Sequence, residues 1–334
     1  MSMLALAALC IAACGHDAAR PAAEKGGSRG AGQTTSGASG QAAASQPLPV
    51  VPTSEQAPPA SQTGGFDGAK AYEHVAKIVA IGPRRPASDG IHRAQEYIWA
   101  QLRGLGCTVD EDDFNAQTTI GNVAMKNIVA KAPGEGRGII LLLTHYDTAP
   151  VKDFVGAEDS GSSTGLMIEM ARHVCGKKGA NAVWIAFVDG EESFVSWRDD
   201  DDHTYGSREL AARMALSGDL AHVKAVILAD MIGQNGLEIM RESDSTKWLT
   251  DLVWKTADRL GYKSIFVSRQ TAVQDDHDPF LDRQVPAVDI IDLDGFQPYW
   301  HSPQDTLDKV SPRSLAIVGH VILESVNELQ KRQH

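Results

Sequence analysis

Basic charge is what this chain lacks most: 31 Lys and Arg stand against 43 Asp and Glu, for a formal net charge of -12. Tracking a phosphate backbone needs a basic surface, so nucleic acid is not expected as a partner. Cysteine is also scarce. Of the four present, Cys10 and Cys14 lie at the N-terminus, which leaves Cys107 and Cys175 for the body. A disulfide-built scaffold or a thiolate zinc cluster would need more. No apolar run has the length of a membrane span, and the N-terminal one, Met3 to Ala13, stops well short. Residues 15–65 contain hardly an aromatic and are mostly Ala, Gly, Ser, Pro, Gln and Thr. Such a stretch cannot bury enough apolar surface to offset its own ordering entropy.

The short apolar leader suits the core of a secretory signal. Ile11-Ala12-Ala13-Cys14 resembles the lipobox of bacterial lipoproteins, in which the cysteine is lipidated and begins the mature chain. It departs from such signals in having no Lys or Arg between Met1 and Leu9. The resemblance implies a signal peptide over 1–14, a disordered tether over 15–65 and a folded body over 66–334. It also implies residence in the bacterial cell envelope, lipid-anchored via Cys14. Gly15 follows the cysteine, which points to the periplasm-facing outer membrane. Membrane contact would run only through that lipid, and the body is expected to be a monomer.

Within the body, apolar strands alternate with amphipathic helices. Ala69 to Ile81 has helical spacing, and Ser88 can cap a second helix with Ile91, Ala94, Ile98 and Leu102 inward. Thr108 to Phe114 and Met125 to Ala130 read as strands. Continuous apolar runs follow at Gly138 to Thr144, Val183 to Val188, Ala225 to Ala229 and Ala287 to Ile291, as in strands buried on both faces. Helices are expected at Tyr205 to Leu216, at Trp248 to Leu260 and after Ser311-Pro312. The fold class is α/β, a mostly parallel central sheet with helices on both faces.

Each buried run ends in polar residues: His145 and Asp147, then Glu191 and Glu192, then Asp230, then Asp292 leading to Trp300-His301. Ligands of open parallel sheets sit outside these carboxyl ends. Several buried carboxylates together call for a cation, and oxygen and imidazole donors without thiolate suit a catalytic Zn²⁺. Two adjacent glutamates diverge in extended backbone, so one can hold metal while the other carries protons.

The order His-Tyr-Asp, Gly-Ala-x-Asp-Ser, Asp-Gly-Glu-Glu, Leu-x-Asp-x-Ile-Gly and Trp-His resembles the zinc-dependent aminopeptidase superfamily. Asp189 to Phe194 with Trp197, Gln274 to Leu281, and Phe296 with Trp300-His301 make the chain look most like the animal-type glutaminyl cyclases. That resemblance implies a zinc exopeptidase-like α/β/α sandwich with a single Zn²⁺ held by Asp159, Glu192 and His301. It further implies Glu191 as proton carrier, Asp230 and Asp275 in a hydrogen-bond network beside it, and a pocket lined by Trp197, Phe296 and Trp300. The reaction implied is closure of an N-terminal glutamine, on a peptide or protein, to pyroglutamate with loss of ammonia. Where the animal enzymes carry a disulfide pair, this chain has Thr144 and Thr164, which leaves rigidity around Asp159 open. The alternative is a two-zinc aminopeptidase, with His145 and Asp230 as a second metal site. Asp199 to Asp202 is expected as a solvated acidic loop, His203 as loop surface, and His277 as a hydrogen-bond donor behind the site.

Overall fold

The structure, a computed structural model, describes residues 48–198, 202–293 and 299–332. The expected leader, most of the tether, Cys14 and Phe296 therefore lie outside the described residues. Two helices open the body, α1 (Gly68–Ile81) and α2 (Asp89–Leu102). Asp67 caps the first and Ser88 the second, its Oγ taking the Ile91 N–H at 3.2 Å. A hairpin of β1 (Thr108–Thr118) and β2 (Gly121–Ala132) follows, then β3 (Ile139–His145) and α3 (Ser163–Val174). Next come β4 (Ala182–Val188), α4 (Tyr205–Ser217) and β5 (Val223–Asp230). The remainder is β6 (Ile239–Glu242), α5 (Lys247–Arg259), β7 (Phe266–Thr271), α6 (Asp278–Leu281), β8 (Ala287–Ile291) and α7 (Pro312–Lys331).

The main sheet has the order β1-β2-β4-β3-β5-β8. β4, β3, β5 and β8 run parallel, while the β1–β2 hairpin adds antiparallel pairs at one edge. Alternation along the buried strands divides the core in two. Ile140, Leu142, Ile185, Phe187, Ile227 and Ile290 face the helices α1, α2, α3, α5 and α7. Leu141, Leu143, Ala186, Val188 and Leu228 face α4 and α6. This is the α/β sandwich that the apolar runs predict. β6 and β7 form a separate parallel pair, too short and too polar in β7 for the sequence pattern to reveal.

Regular structure begins N-terminally of the boundary expected at 66. Turns at Thr53–Glu55 and Ala60–Gln62 precede α1, and Ser311 Oγ donates to Glu55 Oε2 at 2.6 Å. This Pro-rich stretch is held by that polar contact and by Val51, which packs against the main core. Cys107 and Cys175 form a disulfide, with Cα atoms 4.9 Å apart, which ties the entry to β1 to the end of α3. Their scarcity gave no hint of that pairing. No helix among the described residues is long and apolar enough to cross a membrane.

Candidate metal centre

The strand ends deliver the acidic and imidazole groups to one place. His145 is the last residue of β3 and Asp230 the last of β5. After β4 the chain turns at Gly190, whose φ of +71° lies in the left-handed region that favours glycine. Glu191 and Glu192 follow that turn. Asp147 fixes their backbone: its Oδ1 accepts the Glu191 N–H at 3.2 Å and its Oδ2 the Glu192 N–H at 3.3 Å.

Asp159 comes from a tight turn before α3. Asp305 accepts the backbone N–H of Glu158 at 2.8 Å and of Asp159 at 3.1 Å. The buried Arg84 guanidinium binds the carbonyls of Tyr146, Val155 and Gly156 around it. Thr144 and Thr164 are buried as well. The first donates to Ser163 Oγ at 2.8 Å, the second to the His145 carbonyl at 2.9 Å. Hydrogen bonds thus stiffen this turn where the resemblance left its rigidity open.

His301 Nε2 lies 3.2 Å from Asp159 Oδ2 and 3.1 Å from Glu192 Oε1. Donor atoms of Asp159, Glu192 and His301 all fall within 4.8 Å of one another. Both Glu192 oxygens are buried without an aligned hydrogen bond, although His301 approaches one of them. A buried carboxylate left in this condition beside an imidazole and a second carboxylate meets the demand of a zinc site. The three residues therefore fit the metal. Burial, followed by the charge of Asp159, pushes the Glu192 pKa up to about 7. Burial acts downward on His301, but Glu192 and Asp159 outweigh it and carry its pKa to about 10.

His145 is fully buried between carboxylates, with Nε2 at 3.0 Å from Asp230 Oδ1 and 3.2 Å from Asp159 Oδ1. Its Nδ1 lies 3.4 Å from Asp147 Oδ1 and 3.6 Å from Glu191 Oε2. Desolvation lowers its pKa, yet Asp230 and Glu191 outweigh that and hold it well above the ordinary value. His145, Asp159 and Asp230 also have donor atoms within 4.8 Å of one another, so the possible second metal site is geometrically present.

A cavity of about 240 Å³ opens here, lined among others by Glu191, Asp230, Asp275, Trp197, Trp300 and His301. Glu191 is buried, and desolvation raises its pKa well above the carboxylate range. His145 opposes the rise, and Glu192, Asp275 and Asp276 add to it. Asp275 is raised likewise, first by burial and then by Asp289 and Asp230.

Two expectations are corrected. Asp202, expected in solvent, is buried, and it accepts hydrogen bonds from four donors. His203, expected as surface, is buried and stacks on Trp197 at 4.4 Å. A run of four aspartates looks solvated because the sequence cannot show which member meets donors from elsewhere. Arg84, Asp305 and Asp202 went unrecognised for that reason, since their partners are backbone groups or distant side chains. His277 is indeed buried behind the site, its Nε2 at 3.1 Å from Glu242 Oε2.

The sandwich, the strand-end site and the carboxylate–imidazole cradle define a zinc exopeptidase-like protein, and residues 127–326 match the model of Peptidase family M28. The chain belongs to that family. More particularly, it is similar to the glutaminyl cyclase of an Acidobacteriales bacterium, at 38% identity over 80% of this chain and 96% of that one, with a TM-score of 0.75. It is 29% identical to the glutaminyl-peptide cyclotransferase of Bothrops jararaca, over 73% of this chain and 78% of the relative. A Zn-dependent exopeptidase from Parabacteroides distasonis also superposes, at 26% identity, TM-score 0.73, and coverage of 80% and 99%.

Proposed function

We infer that this protein is a glutaminyl-peptide cyclotransferase, which converts the N-terminal glutamine of peptides or proteins to pyroglutamate with release of ammonia. The observation that carries this reading is the position of Glu191. It lies next to the Asp159–Glu192–His301 cradle without being part of it, in a small cavity walled by Trp197 and Trp300. The names of the similar proteins support the same reading.

The cavity, at about 240 Å³, lies below the usual range for drug-sized ligands, ~300–1,000 Å³. It suits one terminal residue, with the rest of the peptide left outside. Trp197 and Trp300 flank that residue and hold it by contact with their rings. The α-amine attacks the side-chain carboxamide carbon, so a ring C–N bond forms and the bond to the amide nitrogen breaks. Glu191 accepts the proton that the amine loses and returns it to the departing nitrogen, which leaves as ammonia. A peptide α-amine has a pKa of roughly 8, and a base raised by burial is better matched to it than an ordinary carboxylate. Asp275, with Glu192 and Asp276, keeps the proton affinity of Glu191 high, and Asp230 lines the same cavity. Asp159, Glu192 and His301 would hold one zinc ion, which when bound supplies Lewis acidity toward the amide oxygen.

The second donor group, His145, Asp159 and Asp230, favours one other reading, a two-zinc aminopeptidase. Incubation of the purified protein with a Gln-initiated peptide tests both. Loss of ammonia by mass, with one zinc per chain, supports the cyclase. Release of free amino acids with two zinc per chain overturns it.

For location, the proposal is export and lipid anchoring through Cys14 to the periplasmic face of the outer membrane. The Cys107–Cys175 disulfide supports export, because such bonds persist in oxidising compartments. Lipid labelling that survives Cys14→Ser would refute the anchor.

A further inference from the structure

The Asp202 carboxylate accepts four hydrogen bonds from three separate segments. Oδ2 takes the Val195 N–H at 2.7 Å and the Ser196 N–H at 3.1 Å. Oδ1 takes the Thr119 hydroxyl at 2.6 Å and the Tyr205 hydroxyl at 3.1 Å. Thr119 sits in the two-residue turn of the β1–β2 hairpin, and Tyr205 begins α4. Trp197 comes directly after the clamped Val195-Ser196 pair, and its indole stacks on His203, the neighbour of Asp202, with planes 23° apart. One fully buried carboxylate thus joins a sheet-edge turn and a helix start to the segment carrying a cavity wall. The Tyr205 bond is buried and the other three are part-buried, and bonds to an ionised carboxylate are the strong ones, so it holds the Val195-Ser196 backbone in place.

We propose that Asp202 is a positioning residue for substrate, acting through Trp197: it fixes the indole wall of the cavity from the hairpin turn and the start of α4. The inference rests on the cyclase reading of the site. Trp197 touches no reacting atom, so its wall contributes alike to the ground state and the transition state. Loss of the clamp then raises KM and spares kcat.

The test is steady-state cyclisation of a Gln-initiated peptide by the full chain, in a cycle of Asp202→Ala, Trp197→Ala and the double variant. Asp202→Ala should raise KM about tenfold with kcat within about twofold. The double variant should be no worse than Trp197→Ala alone, because both changes remove the same contact. Asp202→Asn should restore most of the KM. Its amide oxygen can take the two backbone N–H groups while its NH₂ donates to the Thr119 and Tyr205 hydroxyls. A carboxylate serving only the stability of the body would lower the melting temperature and leave KM unchanged. Multiplied losses in the double variant, or a kcat that falls with unchanged KM, overturn the proposal. Should Asp202→Ala show no cooperative melt, Thr119→Val in the same cycle decides, with an expected KM rise of about threefold. A wild-type chain that forms no pyroglutamate overturns the site reading and this inference together, which is distinct from multiplied losses in an active chain.

Discussion

The Asp305 carboxylate lies beneath the backbone of Asp159 and accepts its N–H at 3.1 Å, with the Glu158 N–H at 2.8 Å on the other oxygen. A residue close to His301 in sequence therefore sets the aim of a carboxylate on the far side of the cradle. Groups that orient metal ligands typically govern affinity by about 10–100-fold. Asp305→Ala should weaken zinc binding by about that factor while the chain still folds. Competition against a chromogenic chelator reads it, and unchanged affinity would sink the assignment.

Glu191→Gln keeps the size of the side chain and removes its basicity. Zinc content and melting temperature should stay near wild type, while kcat falls at least about 100-fold, the lower range for general acid–base groups. Single-turnover rates with a Gln-initiated peptide measure this. A variant with full turnover would remove Glu191 from the reaction.

The disulfide closes a loop across 68 positions. The chain-entropy formula gives a closure of that length about 4.4 kcal/mol, against a typical effect of about 2–4 kcal/mol. Cys107→Ser should lower the urea midpoint by the corresponding amount, and unreduced wild type should titrate no thiol from this pair. Alkylation of Cys107 or Cys175 on unfolding without reductant would contradict the pairing.

Glu242 and His277 make a pH dependence that can be isolated. Burial opposes the charge on Glu242, but its bonds to His277 and to backbone N–H groups bring its pKa down to about 2. A depressed carboxylate stabilises the fold above its unfolded value of about 4.5, and the contribution disappears as pH falls toward 2. His277, lowered by burial but raised overall by Glu242 and Asp289, behaves in the opposite sense. Its contribution is complete below about 6.5 and is lost as pH rises through its folded value. The stability difference between wild type and Glu242→Gln should therefore be largest between about pH 4.5 and 6.5 and shrink toward pH 2. Denaturant midpoints at a series of pH values check it, and a flat difference would refute the pairing.

Much of this site could be read along the chain because buried parallel strands announce themselves. Leu141 to Leu143 and Ile185 to Phe187 are apolar on both faces, so whatever follows them must emerge at one edge of the sheet. His145, Glu191, Glu192 and Asp230 were legible for that reason, and Asp159 and His301 through their motifs. Asp202 and His203 were misjudged because a polar residue in a loop has no periodicity to betray its burial. Asp305 and Arg84 were invisible for a related cause, as their partners are main-chain groups that every residue possesses.

By itself the sequence determined the layered fold, the edge at which chemistry gathers, and the types of donor available there. Local pattern suffices for these, since burial and strand period act on near neighbours. Only the tertiary structure decided which carboxylates face one another and which are held by N–H groups. It also showed that Cys107 meets Cys175, and that a tryptophan of the cavity wall is braced from a distant hairpin. Those are distances between residues far apart in the chain, and they come into being only when the sheet and helices have packed.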